Sequence, residues 1–241
     1  MKIKQKAVHV LATTMRRYSE ANLAFATLKL IDLEEAIENL DRAFESKLEA
    51  FHSLYDVDRH DFDYFSNPDT ALLILLRNAL HHRDHDLFLS WNAEMNQPGG
   101  PRRFLGAEFL LASHQLIDSA STARQFYKVE DFLMRVDPLL NSPALENKMS
   151  SANRQTMIQH LRGGLCFDEV LLQAESERYP QKQIYINVIP VFISAICRTF
   201  KSLKQRGMVF EGADASVYGR HFTEKLVVDF SDLSYDKVRI T

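Results

Sequence analysis

Four residues in one short stretch, Arg77, Asn78, His81 and His82, have side chains suited to phosphodiester chemistry. An arginine guanidinium can hold a phosphate oxygen through two hydrogen bonds and stabilise the charge of a pentavalent transition state. An imidazole that titrates near neutral pH can move protons to or from the reacting oxygens. In a helix, His81 lies one turn from Arg77 on nearly the same face, and His82 reaches that face if the helix tightens or ends there. The stretch therefore predicts a site that binds or cleaves a phosphodiester.

Residues 77–82 (RNALHH) resemble the signature of the HEPN superfamily, which is an arginine, a polar residue, three spacers and a histidine. On this resemblance the catalytic residues are Arg77, Asn78 and His82, with His81 and His85 as candidate supporting residues. The resemblance implies a mainly helical protein, a HEPN-like antiparallel bundle with additional helices. Its implied activity is that of a metal-independent endoribonuclease.

In the implied reaction a ribose 2′-hydroxyl attacks the phosphorus and leaves a 2′,3′-cyclic phosphate. His82 acts as general acid or base and Arg77 stabilises the phosphate. The resemblance further implies RNA as substrate, a homodimer that brings two motifs together, no cofactor and no metal. It also implies a bacterial toxin or phage-defence setting, with an antitoxin or other defence-system protein as partner. Three further basic residues are candidates for RNA binding: Arg83, Arg102 and Arg103.

Two other functions fit the same residues. A catalytically inactive HEPN-like module would bind RNA or a partner protein with the same fold. A metal hydrolase would use His82, Asp84 and His85, which match the later part of a His-x-His-x-Asp-His pattern, but Leu80 replaces the first histidine. His81 and His85 have a spacing that can bind zinc, but no third ligand accompanies them in the sequence. We therefore expect no metal site.

Other residues with reactive side chains have simpler structural interpretations. Gly163 and Gly164 lack the lysine of a phosphate-binding loop and are typical of a helix end. Cys166 has no acid–base pattern near it and is expected to be a structural thiol. His114 and His160 are isolated within helical patterns, so we assign neither of them a catalytic role.

Composition describes an ordinary globular protein: the 241 residues are 46% hydrophobic and 25% charged, with a formal net charge of −3. Two cysteines cannot form a disulfide framework, and no signal peptide is recognisable, so the predicted location is the cytoplasm. The longest apolar stretch, 184–196, is shorter than the roughly 20 residues that span a bilayer, and we predict no membrane segment. The charge is uneven, because residues 1–30 are basic and residues 32–69 are acidic.

The first part of the chain reads as helix, with no glycine or proline before Pro68. Asp32 and Glu35 form a capping-box pattern before a long apolar seam, and Pro68 with Asp69 opens a further helix. Residues 71–76 are apolar on all sides, which predicts that this helix lies deep in the protein.

The rest of the chain is also predicted to be mostly helical, over 104–118, 122–136, 149–176 and 190–206, and the alternation at 184–188 leaves a short strand open. After residue 206 the helical pattern ends, because glycines recur and the stretch 226–230 is rich in β-forming residues. The sequence therefore predicts a HEPN-like helical domain at 1–206 and a C-terminal β-hairpin or extended tail at 207–241. The basic residues Arg198, Lys201, Lys204 and Arg206 are expected to complement a helix C-terminus.

Overall fold

The computed structural model describes residues 2–82, 85–117, 123–224 and 226–241. Over these residues the protein is mainly helical with one small four-stranded sheet. The helices are α1 (Lys2–Leu28), α2 (Leu33–Asp58), α3 (Pro68–His82), α4 (Trp91–Asn96), α5 (Val129–Val136), α6 (Ser151–Gln159), α7 (Phe167–Ser176), α8 (Ile189–Gln205) and α9 (Ala213–Glu224). The strands are β1 (Glu108–Ile117), β2 (Phe126–Lys128), β3 (Ile184–Asn187) and β4 (Val227–Arg239). None of the described helices is long and apolar enough to cross a membrane.

The helices predicted to follow Asp32 and to begin at Pro68 are confirmed as α2 and α3, and the helical stretch before them forms α1. The Asp32 side chain accepts a hydrogen bond from the Glu35 amide at 2.9 Å, which caps the start of α2. The basic α1 lies against the acidic α2, and Lys4 forms an ion pair with Asp58 at 2.6 Å, because opposite charges on neighbouring helices attract. The all-apolar stretch of α3 is buried, as expected of a helix surrounded by other elements.

The prediction of a helix over 104–118 is wrong. Gly100–Phe104 forms a 3₁₀ turn and Glu108–Ile117 forms β1, the second-longest strand. β1 pairs in parallel with β3 and antiparallel with β4. Its segment Phe109 to Ala112 is buried on both sheet faces, because a hydrophobic cluster covers each face. A strand buried on both faces has a continuous apolar run, which periodicity cannot distinguish from a buried helix.

The predicted helix over 122–136 is only partly right. Phe126–Lys128 forms β2, which pairs antiparallel with β3, and the helix α5 begins at Val129. The short strand predicted as an alternative at 184–188 is confirmed as β3. The helical predictions over 149–176 and 190–206 are confirmed by α6, α7 and α8, although a π-helical turn at His160–Gly164 separates α6 from α7.

The C-terminal region is an extended strand rather than a hairpin, and it follows a helix that the sequence analysis did not predict. β4 pairs with β1 and forms one edge of the sheet in the order β2-β3-β1-β4. Gly219 lies within α9, where a Cβ would come within 2.5 Å of the Phe210 ring. This glycine therefore permits close packing and does not end the helix.

The main hydrophobic core lies between the helices and one face of the sheet, and a smaller cluster around Phe109 and Tyr185 covers the other face. The core also contains an ionisable side chain, Lys47, which is only 2% exposed. Its Nζ lies 3.5 Å from the ring centroid of Tyr18 and 4.2 Å from that of Phe192. Burial lowers the pKa of Lys47 well below its usual value.

Candidate active site

The helix that carries the motif is fixed at its start and exposed at its end. Asp69 in the first turn of α3 is fully buried, and its carboxylate accepts hydrogen bonds from Ser194 at 2.7 Å and from Arg198 at 3.1 Å. The following residues are buried as far as Leu76. Because the buried part cannot slide, the last turn holds its polar side chains at defined positions on the surface.

One carboxylate from α2 holds two of the motif side chains. Glu49 Oε2 accepts hydrogen bonds from Arg77 Nε at 3.0 Å and from Arg77 Nη2 at 2.8 Å. Its other oxygen, Oε1, lies 3.1 Å from His81 Nδ1. Arg77 Nη1 also donates to Asn78 Oδ1 at 3.3 Å. We call Arg77, His81 and Glu49 the acidic clamp, and it lines a pocket of about 410 Å³.

Another histidine, His52 of α2, lies beside the acidic clamp. The pKa of His52 is lowered from its usual value, chiefly by burial and also by the charge of Arg77. Asp56 and Glu49 act in the opposite direction and raise this pKa. His52 Nδ1 is 3.3 Å from Asp56 Oδ2. Glu49 and His52 could not be predicted from the sequence, because only the packing of α2 against α3 brings them to the motif.

Asn78 and His82 face the other side of the α3 terminus. They are one turn apart on the same face of the helix and line a second pocket of about 670 Å³, which we call the α6 pocket. Its walls also come from the connector before α3 and from α6, including Phe65, Met157 and His160. The His81 and His82 rings are neighbours, with centroids 5.4 Å apart.

Arg77 and His81 therefore share the carboxylate of Glu49 on one side of α3, whereas Asn78 and His82 line the α6 pocket on the other side. α3 remains α-helical to His82, so the side chains of Arg77 and His82 point about 140° apart around the helix axis. His85 does not join either group: its Nδ1 accepts a hydrogen bond from the Leu87 amide at 3.2 Å, and its ring faces Phe88.

Two of the candidate RNA-binding arginines, Arg102 and Arg103, do not line either of these pockets. Arg83 and Asp84 lie outside the described residues. Arg103 donates to the Glu94 carbonyl and stacks 4.7 Å above the Phe104 ring, which gives it a structural role, and Arg102 is exposed. Neither arginine therefore supports RNA binding at the end of α3.

Other candidates have structural partners. Burial raises the pKa of Cys166 and raises that of Cys197 to about 11, so neither thiol is activated as a nucleophile. His114 is buried in β1 with its Nε2 3.0 Å from the Leu165 carbonyl, and burial lowers its pKa to about 4. Arg198 and Arg206 form ion pairs with the buried Asp69 and Asp58.

No group of three His, Cys, Asp or Glu side chains among the described residues is arranged to hold a metal ion. Comparison with known proteins adds no assignment: no protein-family model, curated protein or solved structure matches this chain.

Proposed function

We propose that this protein is a metal-independent endoribonuclease of HEPN type, acting in the cytoplasm in a bacterial toxin or phage-defence system. The observation that carries the proposal is the exposed end of α3, where an arginine, an asparagine and two histidines project from a rigid buried helix between two open pockets. These are the groups that phosphoryl transfer from RNA needs when no metal supplies the positive charge.

In the proposed reaction a bond forms between the ribose 2′-oxygen and phosphorus, and the bond from phosphorus to the 5′-oxygen breaks. One imidazole takes the proton of the 2′-hydroxyl and another group protonates the departing 5′-oxygen, so the products are a 2′,3′-cyclic phosphate and a 5′-hydroxyl. His82 serves as acid or base and Arg77 stabilises the phosphorane charge. Glu49 keeps Arg77 and His81 in position.

A homodimer accounts for the separation of Arg77 from His82. The two side chains diverge in one molecule, and a symmetric interface at the α3 terminus would bring Arg77 of one copy towards His82 of the other. The resemblance to HEPN proteins supports this assembly, and an antitoxin or other defence-system protein remains its proposed regulator.

The direct test is cleavage of end-labelled RNA by the purified chain in EDTA, with the termini identified by mass spectrometry. Cyclic phosphate ends that disappear in Arg77→Ala and in His82→Ala support the proposal, with losses of roughly a hundredfold or more. Arg59→Ala and His60→Ala remove an exposed Arg–His pair just beyond α2 and serve as matched controls. Full cleavage by both motif variants, or cleavage that needs a metal, overturns the proposal.

One observation favours a second function, a non-catalytic module that binds RNA or a partner protein. Arg77 is only 16% exposed, and its donors are taken by Glu49 and Asn78, as in an arginine that stabilises a helix end. In that case the protein binds RNA or its partner without cleaving RNA, and Arg77→Ala lowers thermal stability instead of activity.

A further inference from the structure

The α6 pocket carries an aromatic side chain in an unusual position. Phe65 is 44% exposed, and it is the only Phe, Tyr or Trp classed as exposed among the residues that the structure describes. Large aromatic rings are normally buried, since each removes much apolar surface from water. An exposed ring on the wall of a pocket of about 670 Å³ is therefore a candidate contact for a ligand.

The backbone of Phe65 is held on both sides. Its amide donates to Asp63 Oδ1 at 3.0 Å, and its carbonyl lies 2.8 Å from His160 Nε2 at the start of the π-helical turn. The ring also rests edge-on against Tyr55, with centroids 5.8 Å apart and planes at 85°. Because the ring is held before any ligand arrives, stacking on it costs little conformational entropy.

Polar groups around the same pocket are available to a ligand. Asn78 lines the pocket, and because its oxygen accepts a hydrogen bond from Arg77, the hydrogens on its Nδ2 are the donors that remain. No side-chain hydrogen bond or ion pair to another described residue occupies Asn153 or Lys148, both of which line the pocket. Apolar side chains from α3 and α6, Leu75 and Met157, form the floor.

A flat apolar ring, amide donors and acceptors, and the ammonium of Lys148 match the parts of a nucleotide. Two carboxylates also line the pocket, but Asp63 accepts from the Phe65 amide and Glu146 pairs with Arg135. Unpaired RNA bases are recognised by stacking on aromatic rings and by hydrogen bonds to their edges, with cationic groups near the phosphate. A base in this pocket would also lie next to His82, which shares its wall.

We propose that the α6 pocket binds one unpaired base of the RNA strand, stacked on Phe65, with Asn78 and Asn153 at its polar edge and its phosphate directed to His82 and Lys148. The inference rests on the proposed function, because the bound base belongs to the nucleotide whose phosphate is cleaved. It adds that the substrate is single-stranded at the cleavage point, since a paired base cannot enter a pocket of this kind.

The test uses single-stranded RNA in which the 2′-hydroxyls are methylated to prevent cleavage and 2-aminopurine is placed at successive positions. Stacking on Phe65 is expected to quench the fluorescence at one position. In Phe65→Ala the quenching disappears and the Kd rises roughly tenfold, whereas Phe65→Trp retains both properties. Leu172→Ala, which removes an exposed side chain on α7, is the control and binds as the wild type does.

Cleavage of unmodified RNA separates this inference from the proposed function. If both hold, Phe65→Ala raises KM about tenfold with little change in kcat, and Arg77→Ala loses kcat but still quenches the fluorescence. Quenching without any cleavage by the wild type retains the base pocket and overturns the ribonuclease. Cleavage with no effect of Phe65→Ala on KM or quenching overturns the base pocket alone. Equal binding of duplex RNA contradicts the single-strand requirement.

Discussion

The two sides of the α3 terminus differ in how their polar side chains are satisfied. On the α2 side, the acidic clamp already pairs Arg77 and His81 with Glu49. On the other side, Asn78 and His82 face the α6 pocket. One helical turn therefore separates the residues of the six-residue motif into two that Glu49 positions, Arg77 and His81, and two that can receive a ligand, Asn78 and His82.

The strongest way to test this division is to mix two inactive variants, Arg77→Ala and His82→Ala. If the active site joins Arg77 from one copy with His82 from the other, subunit exchange places about half of the chains in mixed dimers, each with one intact site. Activity is then expected to rise from background to about a quarter of the wild-type value in the RNA cleavage assay.

The control for mixing is His82→Ala combined with the double variant Arg77→Ala/His82→Ala, which contains no intact histidine at this position and should stay inactive. An affinity tag on one variant, with co-purification of the untagged variant, establishes whether mixed dimers form. Mixed dimers without recovered activity contradict a site shared between copies and place the two groups in one molecule.

A second prediction concerns the clamp. Glu49→Gln removes the charge that orients Arg77 and His81, so we expect the cleavage rate to fall roughly 10- to 100-fold, as is common when a positioned group is displaced. Glu38→Gln breaks an exposed Glu–Arg pair on the same helix and should leave the rate unchanged. A faster Glu49→Gln enzyme would instead show that the clamp holds Arg77 away from the substrate.

A third prediction concerns substitutions in the π-helical turn beside the α6 pocket. In the π-helical turn, a Cβ on Gly164 would lie 2.9 Å from Pro68 Cβ, whereas a Cβ on Gly163 meets nothing within 4 Å. Gly164→Ala should therefore lower the free energy of unfolding by about 1 to 3 kcal/mol, since overpacking forces atoms apart. Gly163→Ala should be neutral or slightly stabilising. Urea denaturation measures both, and equal stabilities would contradict the close contact.

The smallest expected effect is a shift in the pKa of His52, on the α2 side of the α3 terminus. Because the charge of Arg77 helps to lower the pKa of His52, Arg77→Ala should raise that pKa, and Glu49→Gln should lower it further. The imidazole resonances of His52 followed by NMR against pH measure both shifts. A wild-type pKa in both variants would show that the clamp does not extend to His52.

Local patterns were sufficient for much of the helical structure. The seam of α2, its Asp32 cap and the Pro68 start of α3 depend on neighbours within a few residues, so they could be predicted from the sequence. β1 could not be predicted in this way, because it pairs with strands that are distant in the chain and is buried between two hydrophobic clusters. The helix α9 was missed because Gly219 suggested a break where it serves packing.

The candidate site divides in the same way. Arg77, Asn78, His81 and His82 were selected from one stretch of sequence, because their side-chain chemistry and spacing are local properties. Glu49 and His160 are separated from that stretch by 28 and by more than 70 residues, and no local pattern marks them. The burial of Lys47 against Tyr18 could not be predicted either, since its sequence context is that of an acidic surface helix.

The long helices, the burial of α3 and the set of polar side chains at its end therefore follow from local patterns, because helix periodicity and capping act between near neighbours. The divergence of Arg77 from His82 is a matter of helix geometry once α3 continues to His82. In contrast, the contacts of Glu49 with Arg77 and His81 and the exposed position of Phe65 in the α6 pocket arise only in the folded chain. These features depend on which helices pack together, and that is decided by the burial of the whole chain and not by any segment of it.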